Sequence, residues 1–250
     1  MIKFVTFLAV FMLGSFVSAY GQTTAGVFGP NISEGDRSAQ FRIATTPGQN
    51  GGADRWEARI HYQHAIADNL RARIVLQGSD IETGKFESNF IQAELQWQFK
   101  KTDKQSSGAK WASALRLDAR LVEKDDGVNR MGVNWTNQWN PDENWQFNNV
   151  VLVGTEIGSN TGNGARNGLI LEIRNGAKYK IGANTRLGIE SFSALGRSNA
   201  LGNFNTQNHR LGPVVTGKIG ADTKYLVGVL FGASRPARDV DFRLWLTRGF

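Results

Sequence analysis

In four consecutive stretches of this 250-residue chain, each ten or more residues long, apolar and polar side chains alternate most clearly. In the first, Trp56, Ala58, Ile60 and Tyr62 oppose Arg55, Glu57, Arg59 and His61. In the second, Leu70, Ala72, Ile74 and Leu76 oppose Arg71, Arg73 and Gln77. The third sets Ile91, Ala93, Leu95, Trp97 and Phe99 against Gln92, Glu94, Gln96 and Gln98; the fourth sets Trp111, Leu115, Leu117, Ala119 and Leu121 against Arg116, Asp118 and Arg120. A period of two is that of a β-strand with one apolar and one polar face. Segments this long can cross a hydrocarbon layer at the tilt of a barrel strand. No window sustains a helical apolar stripe.

Extending the pattern gives about twelve strands, near 37–45, 54–66, 69–78, 88–100, 109–123, 128–139, 144–156, 167–178, 183–193, 208–219, 223–233 and 239–250. An even number suits an antiparallel bacterial barrel. The expected fold is all-β: one antiparallel transmembrane β-barrel over 37–250. The connectors also alternate. Short turn-rich links at Ala67–Asn69, Asn140–Asn144, Gly182–Thr185 and Gly220–Thr223 are expected on the periplasmic side. Longer, glycine-rich ones at Thr45–Asp54, Gly78–Glu87, Gly158–Gly168 and Gly196–Asn208 are expected outside, with Lys101–Lys110 as a long exception. Rings gather at both proposed borders, as amphipathic aromatics do at bilayer interfaces. Trp97, Phe99, Trp111, Trp139, Trp145, Tyr179, Tyr225 and Phe250 fall beside the turns. Phe41, Trp56, Phe90, Phe192, Phe231 and Phe242 fall beside the loops. The competing arrangement is a soluble β-sandwich with these aromatics in its core.

The N-terminus reads as an export signal. Lys3 precedes an apolar run from Phe4 to Leu13, and Val17, Ser18 and Ala19 offer a signal-peptidase site, so 1–19 is expected to be removed. Residues 20–36 form a Gly/Thr/Ser-rich periplasmic lead-in or a plug in the barrel mouth. No cysteine is present, which excludes a disulfide framework and a lipid anchor. The net charge is +7. In an exported chain that points to anionic solutes, lipid headgroups or internal pairing rather than nucleic acid.

The polar parity carries the candidate site. Arg55, Arg59, Arg71, Arg73, Arg116, Arg120, Arg130, Arg174, Arg186, Arg210, Lys218 and Arg243 are assigned to the lumen, against Glu57, Glu94, Asp118, Glu156, Glu172, Glu190 and Asp241. A surplus of guanidinium groups would hold carboxylate, sulfonate or phosphate. The functional expectation is a channel or transporter for small polar or anionic solutes. One alternative is a closed structural or surface-interaction barrel whose charges pair across the interior. Another is a lipid-modifying hydrolase at the rim around His209, with Ser191 and Ser193 beside it; the His-Ser-Asn-Gly stretch of outer-membrane phospholipases is missing. No catalytic residue is assigned. No cofactor is expected, Asp125 and Asp126 read as a solvated turn, no metal-ligand spacing appears, and Gly158–Gly164 is no phosphate loop.

The last strand, with Phe242, Leu244, Leu246 and Phe250 on one parity, resembles the C-terminal sorting signal of Gram-negative outer-membrane β-barrels. That resemblance implies outer-membrane lipid, lipopolysaccharide and the barrel-assembly machinery as partners. From Leu187 onward, the stretches Leu187–Phe192, Gln207–Val214, Tyr225–Gly232 and Asp241–Leu244 are similar to a group of small, about twelve-stranded proteobacterial barrels. Some of that group are phenol-degradation-pathway (MetA-type) transporters, which implies an outer-membrane location and a small-molecule solute.

Overall fold

The computed structural model describes residues 24–48, 53–81, 85–101, 110–123, 129–157 and 167–250. The proposed signal peptide, Asp125, Asp126 and the Gly158–Gly164 stretch lie outside them. Twelve antiparallel strands form one closed sheet: β1 (Arg37–Thr46), β2 (Arg55–Ala67), β3 (Leu70–Ile81), β4 (Glu87–Lys100), β5 (Lys110–Val122), β6 (Asn129–Asn140), β7 (Trp145–Ile157), β8 (Ile170–Gly182), β9 (Thr185–Arg197), β10 (Asn208–Ile219), β11 (Thr223–Gly232) and β12 (Val240–Gly249). Each strand pairs with its sequence neighbours, and β1 closes on β12 from Ser38↔Gly249 to Thr45↔Phe242. Closure leaves no unpaired sheet edge, a requirement for strands in lipid. Among the described residues no second sheet stacks on the first, and the closed barrel takes the place of the sandwich.

Alternation decides which side faces where. Ile60, Leu117, Leu121 and Ile189 are more than half exposed on the outer wall, while Arg59, Arg116 and Glu190 between them are buried. So broad an apolar exterior has no place on a soluble monomer. On a barrel it is the lipid-facing band. No helix among the described residues is long and apolar enough to cross a membrane. Phe242, Leu244, Leu246 and Phe250 are on this outer wall, and Phe250 stacks on Tyr62 with ring centroids 6.3 Å apart.

Two of the expected links tighten. Ala67 pairs with Leu70 and Gly182 with Thr185, so Asp68–Asn69 and Ala183–Asn184 are two-residue hairpin turns. The strand ends also differ from those expected: at the loop end β3 runs to Ile81 rather than 78 and β9 to Arg197 rather than 193, and β8 spans Ile170–Gly182 rather than 167–178. In each, ladder hydrogen bonds outweigh glycine's preference for turns.

Phe90 and Phe192 are a correction. Both are assigned above to the outer aromatic border, yet they are 4% and 2% exposed and sit inside the barrel. Their parity is that of Gln92 and Glu190, and parity overrides the tendency of rings to seek the interface. Arginines cover them: Arg120 lies 4.0 Å from the Phe90 centroid and Arg243 5.1 Å from that of Phe192.

Candidate functional site

The interior is polar because the inward parity of nearly every strand carries charge or amide. Arg73 and Arg116 share Glu94 at 2.6 and 3.2 Å. Glu190, fully buried, takes Lys178 at 2.9 Å and Arg243 at 2.8 Å. Arg210 pairs with Asp241 at 2.6 Å, Arg55 with Glu57 at 2.9 Å, Arg174 with Glu172 at 2.8 Å, and Arg197 with Glu156. Of the residues assigned from sequence, Arg59, Arg120 and Arg71 also donate to the amides Gln77, Gln92 and Gln96. Arg130 lines the central cavity with Arg59, Arg73, Arg116, Arg120 and Arg174. That cavity is about 40 Å³, room for little more than one or two waters. Arg186 and Lys218 stand apart from the central group, at the turn end.

Alternation would also have found Arg42 and Trp245, which the sequence reading leaves unassigned. Arg42 alternates with Phe41 and Ile43, and Trp245 shares parity with Asp241 and Arg243. Both are buried, and the guanidinium of Arg42 lies 4.0 Å over the Trp245 ring. His61, another buried lumen residue, faces the same small cavity.

A second component comes from outside the sheet. Residues Thr24–Ile32 run inside the lumen, held mostly by their backbone. Arg42 donates to the carbonyl of Thr24 (3.0 Å), Arg243 to Ala25 (3.2 Å), Arg174 to Gly26 (3.1 Å), Thr136 to Phe28 (2.7 Å) and Gln96 to Pro30 (2.9 Å). The amide of Ile32 donates to Gln98 (2.9 Å). Ala25 and Val27 pack with Val150, Phe192 and Leu230. The Phe28 ring lies 3.5 Å beneath the guanidinium of Arg116. Gly26 abuts Trp245 so closely that a Cβ would collide with the indole. Gly26 and Phe28 of the segment line the central cavity, and a wider vestibule of about 470 Å³ lies at the turn end.

At the loop end, His209 faces Ser193 across the β9–β10 ladder, Nδ1 to Oγ 3.0 Å. Its Nε2 rests on the Gln207 amide oxygen at 2.9 Å, and the ring stacks on Phe204.

The closed twelve-stranded wall is similar in fold to solved outer-membrane channels. An outer membrane channel from Pseudomonas putida F1 superposes with a TM-score of 0.62 at 11% identity, covering 90% of this chain and 99% of that one. This chain is an outer-membrane-type β-barrel. The NanC porin gives a TM-score of 0.57 at 12% identity (84% of this chain, 98% of that one) and the KdgM porin 0.55 at 12% (85% and 99%). KdgM has also been solved in complex with disordered oligogalacturonate. At these identities the likeness establishes the fold. No protein-family description and no curated protein matches the sequence.

Proposed function

We propose that this barrel is an outer-membrane channel for small polar or anionic solutes, with the short turns in the periplasm and Thr24–Ile32 as a lumen segment that restricts passage. The observation that carries this reading is the interior itself. Arg42 and Arg71, both in the lumen, are held by amides and a carbonyl rather than by carboxylates. Their charge is thus left to a passing anion. The twelve-stranded neighbours are porins and channels, one of them solved with a polycarboxylate sugar chain. On this reading the apolar outer wall meets lipid, and the strand bearing Phe242, Leu244 and Leu246 meets the assembly machinery.

The ion pairs at Glu94, Glu172, Glu190 and Asp241 favour a second reading, a closed scaffold zipped through its interior. The rim hydrolase has weaker support. The group on the far side of His209 from Ser193 is an amide, which carries no charge to stabilise an imidazolium.

Planar-bilayer recording separates these readings. The channel reading expects discrete conductance steps that prefer anions, with Arg71→Glu reversing or reducing the preference. Folded protein that stays silent, both as wild type and with the lumen segment loosened by Phe28→Ala, would overturn it in favour of the scaffold.

A further inference from the structure

The vestibule at the turn end has an unusual wall. On β8–β9, Lys180 lies directly opposite Arg186; on β10–β11, Lys218 lies directly opposite Lys224. All four line the vestibule, together with Lys178, and no carboxylate among the described residues does. Like charges opposite one another in a ladder destabilise the sheet, and here two such pairs sit on neighbouring hairpins around one space. Lys178 shares the Glu190 carboxylate with Arg243, and Arg186 is fixed by the carbonyls of Asn144 (2.6 Å) and Glu143 (3.2 Å), which orient it without cancelling its charge. The far wall supplies an independent sign. Trp245 is 7% exposed, lines the same space, and its indole N–H has no acceptor. A buried donor without an acceptor is costly unless something fills the role.

We infer that the vestibule is a binding site for a small, multiply charged oxyanion, whose oxygens bridge the Lys180/Arg186 and Lys218/Lys224 pairs while one accepts from Trp245 Nε1. The volume of about 470 Å³ is in the range of small-ligand sites. An anion there relieves both repulsive pairs at once. The site deepens the channel reading, on which its role as a staging point for a transported solute rests. Binding itself needs only the geometry.

The test is calorimetry and chemical unfolding of the full chain folded in detergent, with citrate, inorganic phosphate and neutral glycerol as probes. Citrate or phosphate binds wild type and raises its unfolding midpoint; glycerol does neither. Stronger binding of citrate marks a carboxylate solute, stronger binding of phosphate a phosphorylated one. Lys218→Gln with Lys224→Gln weakens binding about tenfold or more, while the barrel without ligand becomes more stable because the repulsion is gone. Trp245→Phe weakens binding severalfold; the lysine variants carry the test even if that buried substitution harms folding. Wild type that binds neither anion, or lysine variants that bind as wild type does, would overturn the site. Binding without conductance would overturn the channel reading and leave the site standing.

Discussion

Phe28→Ala asks whether the lumen segment restricts the pore. Phe28 is half-buried, packs beside the Ala25–Val27 cluster and lies 3.5 Å under Arg116. Removing a half-buried ring forfeits about 2 kcal/mol of burial. The cation–π contact, away from bulk water, adds about 1–2 kcal/mol. Arg116 keeps Glu94 and Asn134, so its charge is not stranded and no larger cost arises. A loss of about 3–4 kcal/mol raises the ratio of displaced to seated segment roughly 100- to 1,000-fold. In single-channel recording this appears as longer and more frequent open dwells. Phe28→Leu, which keeps apolar bulk without the ring face, falls between the two. Dwell times of Phe28→Ala within tenfold of wild type would refute the assignment of the segment as the restriction.

Burial makes two further stability predictions. Glu190→Gln leaves Lys178 and Arg243 facing a neutral amide in a fully buried site. It should cost about 3 kcal/mol, whereas Arg248→Gln, whose pair with Asp222 is exposed and 3.8 Å apart, should cost under about 1 kcal/mol. Reversible urea unfolding in detergent compares them, and equal costs would contradict the buried network. On the opposite wall, Leu117→Arg at the middle of β5 should destabilise the barrel by about 2–4 kcal/mol in lipid bilayers. The same arginine at Leu121, exposed on the same wall but nearer the strand end, should cost less, and equal costs at the two positions would argue against a bilayer around this face.

The strands and their facing were legible because side chains report them: a ladder that buries one parity must repeat its chemistry every second residue. That logic reached Arg73, Arg116, Arg174, Arg210 and Arg243 from spacing alone. It failed where residue type was allowed to outrank parity, as with Phe90 and Phe192. The path of Thr24–Ile32 was not legible, since its hold on the lumen runs through carbonyl oxygens that every residue possesses. Its Gly and small side chains signal only that something passes close. The like-charge pairs of the vestibule were equally hidden, because Lys180 and Arg186, or Lys218 and Lys224, become opposite only once the two hairpin registers are known.

Only Ser33–Asp36 separates the lumen segment from the first residue of β1, and β1 is itself the seam that joins the sheet to β12. The segment is thus tethered within a few residues of the lumen groups it touches, at an effective concentration that no free peptide could match. On the channel reading, a displaced segment would return by an intramolecular step, indifferent to how much protein the membrane holds. A lengthened leash would slow that return without touching a single contact in the seated state.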